Sequence, residues 1–326
     1  MSLTKNDFES AKRLIESGER FIISVHTRPD PDAIGSALAL ARCLRQMGKK
    51  VVLLSEDKPP EACAYLPDIE TVVTSTSERD FDLGIICDAD DLNRIGSSAD
   101  TVKLSKSILL IDHHKIGEPL NRECLCLRDE TAAATAEIVF ELLHQLHVIF
   151  DQEIARQLMA GMVGDTGGFR FANVTPNTLE IASRLAAYGA SPSEAAREIY
   201  ENRSLGCARI LGHVLLNARM EDDGRIIWSH ITQEDFAKFN ASDEDTDSIV
   251  NQLRGIKGAR IAILFRETAP DVVRVSLRSR DGVDVNAIAS AFGGGGHISA
   301  AGCTIEKSLD EAEKALLSEV RKWMAS

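Results

Sequence analysis

The chain has 326 residues, 44% hydrophobic and 27% charged, and its 37 Lys and Arg against 50 Asp and Glu leave a net charge of −13. That length favours two domains over one, the composition is that of an ordinary globular protein, and no apolar run approaches the ~20 residues of a membrane span. The acidic balance excludes a protein that wraps a long duplex polyanion, which needs a basic surface, but leaves room for a small phosphate compound held by a local basic patch.

The opening MSLTKNDFESAKRLIES carries no signal-peptide core and reads as an amphipathic helix. Strands and helices then alternate. FIISVH (21–26) is a short apolar strand, DAIGSALALARCLRQMG (32–48) a helix ending at Gly48, and KVVLL a strand. DLGIICDA (82–89) and SILLIDHH (107–114) are further strands, followed by helices over 131–147 and 151–163. Uniformly apolar strands alternating with helices predict a parallel sheet covered on both faces. From about 175 to 217 the pattern is helical, with Pro192 in the first turn of its helix. After 220, GRIIWSHI, ARIAILFRE and VVRVSLRS read as strands, with helices over 244–255, 285–292 and 308–323. The expected architecture is α/β: a parallel-sheet domain over 1–190, a helical linker over 191–217, and a smaller mixed-sheet domain over 218–326.

Seven cysteines without CxxC spacing read as free thiols in a reducing cytoplasm, and the nearest pair, Cys124 and Cys126, is expected to point to opposite faces of an extended segment.

Acids and imidazoles gather at four places where apolar segments end: His26, Asp30 and Asp32 in SVHTRPDPDAIGS, Asp88 in IICDAD, Asp112, His113 and His114 in LIDHH, and Asp165 in AGMVGDTGGFRF. Ligand sites of parallel sheets lie beyond the carboxyl ends of the strands, so the groups ending the first, third and fourth of these strands converge there. A loop after a helix brings in Asp165. Each residue has an ordinary role open to it; Asp32, for instance, suits an N-cap beside Pro31. Jointly, so many carboxylates at one edge would repel each other without a cation. At least four Asp and two His suit two divalent metals. Mixed carboxylate and imidazole ligation favours Mn²⁺ or another transition ion over Mg²⁺, and the lack of a cysteine ligand speaks against a structural zinc site. Two such ions ~3.5–4 Å apart can share a carboxylate and a hydroxide that attacks phosphorus in line.

In the second half, residues 251–280 carry seven basic groups (Arg254, Lys257, Arg260, Arg266, Arg274, Arg278 and Arg280) against Glu267 and Asp271, a candidate basic patch. The run GGGGH (293–297) permits a close approach of backbone to a ligand and presents N–H groups to a phosphate; a plain turn explains it equally well. Phe169 and Phe171 alternate like a strand and are expected in the core rather than under a stacked base.

The segments HTRPDPDAIGS, CDAD, DHH and DTGGF, followed by RSRDGVDVNAIASAFGGGGHISAAG, resemble the DHH phosphoesterase superfamily with its DHH-associated substrate domain. By motif and length the chain is similar to bacterial nanoRNases, cytosolic enzymes that degrade very short oligoribonucleotides and dephosphorylate 3′-phosphoadenosine 5′-phosphate (pAp). The resemblance implies that His26, Asp30 and Asp88 hold one metal and that Asp32, Asp88, His113 and Asp165 hold the other. It further implies that His114 faces the substrate phosphate and that Asp112 orients a histidine. Arg278, Ser279, Gly294, Gly295, Gly296 and His297 would bind substrate, in a cleft where the acidic domain faces the basic one. The implied partners are short oligoribonucleotides, pAp or dinucleotides, with no long duplex and no membrane; a homodimer is compatible with such a chain. A cyclic or linear dinucleotide phosphodiesterase is the nearest rival. A pyrophosphatase would want a more basic phosphate clamp, and a RecJ-like exonuclease more domains. A non-catalytic nucleotide sensor would not need the intact ligand set.

Overall fold

The computed structural model describes residues 3–114, 124–246, 248–280 and 282–325. The chain forms two compact units, Met1–Asn202 and Arg203–Ser326.

The first unit is built on six parallel strands, β1 (Arg20–Val25), β2 (Lys50–Leu54), β3 (Val72–Val73), β4 (Leu83–Cys87), β5 (Ser107–Asp112) and β6 (Leu125–Arg128), in the order β3-β2-β1-β4-β5-β6. The inner strands β1, β4 and β5 are buried almost throughout, which is why they read as unbroken apolar runs. Its helices are α1 (Lys5–Ser17), α2 (Pro31–Gln46), α3 (Ser98–Val102), α4 (Thr135–Gln145), α5 (Gln152–Asp165), α6 (Pro176–Ala187) and α7 (Pro192–Ala196). The main core joins one sheet face to α2, α4 and α5, and a smaller cluster around Ile22, Ile86 and Val102 covers the other face beneath α3.

The second unit contains α8 (Leu205–Leu216), β7 (Arg219–Glu221), β8 (Ile226–Ile231), α9 (Gln233–Phe239), α10 (Ile249–Arg254), β9 (Ile261–Ala269), β10 (Val272–Ser279), α11 (Val285–Ser290), β11 (Gly295–His297), β12 (Ala300–Ile305) and α12 (Leu309–Ala325). Its sheet runs β11-β12-β10-β9-β8-β7 and is mixed: β8 and β9 are parallel, the other pairs antiparallel. The unit boundary falls inside the expected linker, with Ala195 of α7 in the first core and Ile210 and Val214 of α8 in the second.

Two local expectations are corrected. Phe169 and Phe171 lie in a turn rather than a strand, because Gly167, Gly168 and Phe169 all take positive φ (61°, 69° and 62°); Phe169 still packs on the core. Cys124 and Cys126 lie on the same side of the chain with Sγ atoms 3.2 Å apart, since residues two apart in an extended segment share a face. Among the described residues no helix is long and apolar enough to cross a membrane.

Candidate metal centre

Neighbouring strands β1 and β4 sit where the strand order reverses, the point at which an open parallel sheet leaves a crevice beyond its carboxyl ends. His26 directly follows β1, Asp88 directly follows β4, and His113 and His114 directly follow β5. The N-cap of α2 is Asp30, whose Oδ1 accepts from the amides of Asp32 (2.9 Å) and Ala33 (3.0 Å). Asp32 is therefore not the cap; one turn face further on, it is wholly buried. Asp165 is the last residue of α5 rather than part of a loop, so a rigid helix delivers it.

These side chains meet. His26 Nε2 lies 3.8 Å from Asp30 Oδ2 and 3.5 Å from Asp88 Oδ2. His113 Nε2 lies 3.6 Å from Asp88 Oδ1 and 3.1 Å from Asp165 Oδ2. Asp88 thus turns one oxygen toward each histidine, and it holds this pose at φ 60°, a left-handed conformation that aspartate tolerates better than most residues. Three overlapping groups have donor atoms within 4.8 Å of one another: His26, Asp30 and Asp88; Asp32, His113 and Asp165; and Asp88, His113 and His114.

The ring orientations suit metal binding. His26 Nδ1 lies 2.9 Å from Thr27 O and His113 Nδ1 lies 3.3 Å from Ala132 O, so in each ring Nδ1–H donates to a carbonyl and Nε2 faces the carboxylates. His113 Nε2 is buried there without a hydrogen-bond partner, the orphaned donor atom that a cation would satisfy. His114 differs: its Nδ1 lies 2.7 Å from Asp112 Oδ1, which also accepts from the His114 amide at 3.1 Å. Asp112 is fully buried and orients His114, with Arg128 Nε 3.2 Å from its other oxygen.

Electrostatics show how crowded the cluster is. Burial opposes charging His26, but Asp30 and Asp88 outweigh it and push the imidazole up to about 11. His113, against burial, is raised by Asp165, and His114, against burial, by Asp112. Burial and the repulsion of Asp88 and Asp165 hold Asp32 well above the carboxylate range. Burial, with Asp30 adding to it, lifts Asp165 to about 6 even though His113 pulls the other way. Asp88 alone is driven down, its burial overcome by His26, His113 and His114. These opposed shifts mark carboxylates that share too little positive charge among themselves, which a pair of divalent cations would correct.

Four supporting residues escaped the reading of the sequence. Thr135, at the start of α4, donates from its amide to Asp32 Oδ2 (2.6 Å) and from Oγ1 to Asp88 Oδ1 (2.8 Å). Arg128 clamps Asp112 and also donates from Nη2 to Asp90 O at 2.9 Å. Gly35 and Gly161 let α2 and α5 cross closely: a Cβ at 35 would lie 2.2 Å from Gln157 O, and one at 161 would lie 2.4 Å from Asp32 Oδ1. The available signal was the N-cap of α4, an alanine with no capping side chain, which leaves first-turn amides in need of a distant acceptor.

The expected substrate residues belong to the second unit and do not act alike. Arg278 and Ser279 are consecutive in β10 and so face opposite ways; Ser279 is buried, its hydroxyl donating to Val283 O at 2.6 Å. Arg278 lies on the partly exposed face and donates from Nη1 to Leu277 O. The glycine run is first a packing device. The amides of Gly293 and Gly294 close α11 on Ser290 O and Ala289 O, and a Cβ at 294 would lie 2.2 Å from Gly302 O of β12. At Gly296, φ is 146° and a Cβ would lie 2.4 Å from Ala300 O; a Cβ at Gly293 would meet nothing within 4 Å, and one at Gly295 only Asn286 Oδ1 at 3.8 Å. His297 ends β11, and its side chain lies outside the described residues. The expected basic patch is thinned because Arg266 and Arg274 both pair with Asp243.

Residues 20–162 match the DHH family N-terminal domain and residues 224–326 the DHHA1 domain. The bifunctional oligoribonuclease and PAP phosphatase NrnA of Thermus thermophilus is 32% identical over 92% of this chain and 89% of its own length. The protein of that name from Bacillus subtilis is 30% identical over 93% and 95%. Among solved structures, an exopolyphosphatase-related protein from Bacteroides fragilis is similar with a TM-score of 0.92 and 26% identity, covering 98% of each chain.

Proposed function

The chain belongs to the DHH family of phosphoesterases, and on that premise we propose that it hydrolyses very short oligoribonucleotides to mononucleotides, and pAp to AMP and phosphate, with two Mn²⁺ ions. The observation that carries this reading is Asp88, one carboxylate with an oxygen toward each of two imidazole-carboxylate groups, in a chain similar along nine-tenths of its length to NrnA proteins. His26, Asp30 and Asp88 would hold one ion; Asp32, Asp88, His113 and Asp165 would hold the other. When bound, such ions supply Lewis acidity to phosphoryl oxygens and acidify water. Mixed oxygen and nitrogen donors favour Mn²⁺ over Mg²⁺.

The remaining roles fall to this chain's own groups. Asp112 fixes the His114 ring through Nδ1, so Nε2 is the atom that carries a proton to the substrate phosphate. Arg278 and His297 would bind the terminal phosphate by charge-assisted hydrogen bonds, with the glycine backbone near Gly295 beside them. Seven free cysteines suit a reducing cytoplasm.

The test is a substrate panel at fixed Mn²⁺ and low salt: pAp, pGpG, cyclic di-AMP, pyrophosphate and an RNA length series. A protein with a net charge of −13 repels a long strand, so kcat/KM should peak at about two to five nucleotides and fall beyond, with pAp also cleaved. Arg278→Ala should lower kcat/KM by about 1.5–3 kcal/mol in transition-state terms and leave metal content unchanged. Activity rising steadily to long RNA would replace this reading with a processive exonuclease, and exclusive cleavage of cyclic di-AMP or pGpG with a dinucleotide phosphodiesterase.

A further inference from the structure

We propose that Thr135 is a positioning residue that sets the spacing of the two cation sites, an inference that rests on the two-metal reading above. The shared carboxylate and a carboxylate of one site are held by different atoms of this one residue: Asp32 Oδ2 by the Thr135 amide at 2.6 Å and Asp88 Oδ1 by its hydroxyl at 2.8 Å. Asp32 belongs with His113 and Asp165, whereas Asp88 is grouped with His26 and Asp30 and again with His113 and His114, so it is the carboxylate the two sites share. The second oxygen of Asp32 accepts from the Ala136 amide (3.0 Å) and from Ser36 Oγ (3.2 Å). Asp32 therefore takes the place of the missing N-cap of α4, from 103 residues away in the chain. A carboxylate at a helix N-terminus is favoured by the exposed amides and the helix dipole, so its place is tied to the helix.

The hydroxyl adds what the amides cannot. Asp88 comes from the sheet, on the loop after β4, whereas Asp32 comes from α2. Their separation would otherwise depend on how sheet and helix happen to pack. Thr135 is wholly buried, and as a β-branched side chain it has little freedom to swing its hydroxyl away. It binds Asp88 on the oxygen that faces His113. That hydrogen bond fixes the carboxylate's rotation, and with it which oxygen serves which ion. Thr135 touches no reacting atom in this scheme; it acts through the two aspartates.

Thr135→Val keeps shape and amide and removes only the hydroxyl, and Thr135→Ser restores the donor. The probe is Mn²⁺ alone, followed by titration calorimetry and electron paramagnetic resonance, so no substrate enters. Groups that orient metal ligands typically matter 10–100-fold in affinity. Wild-type protein and Thr135→Ser should bind two ions and give an exchange-coupled dimanganese signal. Thr135→Val should bind the second ion about 10–100-fold more weakly and give uncoupled Mn²⁺ signals, with an unchanged circular dichroism spectrum. Two-ion binding and coupling in Thr135→Val equal to wild type would overturn the inference. So would a Thr135→Ser protein that folds but behaves like Thr135→Val. A wild-type protein that never binds a second ion would overturn the two-metal reading itself.

Discussion

Among the described residues, the buried charged side chains of the first unit include His26, Asp32 and Asp88, while those of the second are Arg266 and Glu313. In the second unit each finds opposite charge and hydrogen bonds close at hand. Arg266 donates to Thr246 and Ser276 and pairs with Asp243 at 3.0 Å; Glu313 lies 2.7 Å from His230 Nδ1 and 3.5 Å from Arg219. In the first unit Asp112 has Arg128, but among the described residues Asp32, Asp88 and Asp165 have only shared imidazoles and neutral donors. Buried charge is expensive unless paired. Where a fold completes the pairing internally, the charge is architecture. Where it leaves several carboxylates around one point, the missing positive charge would have to come from solution. The same physics therefore separates a site from a scaffold within one chain.

The contrast is broken most severely at Asp88. Asn tolerates the same left-handed backbone and has the same shape, so Asp88→Asn removes a charge and little else. We expect kcat/KM to drop more than about a thousandfold, about 4 kcal/mol, with Mn²⁺ binding impaired and the fold retained in circular dichroism. Wild-type-like turnover would exclude a shared carboxylate.

The converse variant lies in the second unit. Asp243→Ala removes the carboxylate that neutralises Arg266 and Arg274. We expect a loss of about 3 kcal/mol of that unit's stability in denaturant titration, with Mn²⁺ affinity in the first unit unchanged. A fall in metal affinity with no loss of stability would contradict the division between the units.

The mildest perturbation adds or removes metal from the intact protein. With Mn²⁺ at about 100 times its dissociation constant, the first unit should gain about 2.7 kcal/mol. Hydrogen exchange should slow in β1, β4 and α4 and stay constant in β9 and β10; chelation should reverse it. Uniform slowing in both units would show that the stabilisation does not originate at this centre.

The convergence of the candidate ligand segments was legible because acids and imidazoles at the ends of apolar strands have few explanations, and strand alternation with helices already implies a parallel sheet. The mixed sheet of the second unit was legible in outline, but β12 was not, because AAGCTI lacks the β-branched alternation of its neighbours. Thr135 and Arg128 were hidden because they are ordinary residue types whose partners lie elsewhere in the sequence. The glycine run left a phosphate cradle and a plain turn equally open because glycine at a close backbone approach looks the same whether a phosphate or β12 lies opposite. Ser279 and the Cys124–Cys126 pair were open to simple alternation: adjacent residues in a strand face apart, and residues two apart face together.

The crossing of α2 and α5 carries a consequence for how such a chain tolerates mutation. Glycine inside a helix costs about 1 kcal/mol relative to alanine, yet Gly35 and Gly161 both stand at this contact. The methyl group that alanine would add at 161 falls on Asp32 Oδ1, so the change would reach a candidate metal ligand without altering any charge. Positions with no chemistry of their own can thus be as unforgiving as the aspartates, and sequence drift that preserves every ligand can still silence the centre.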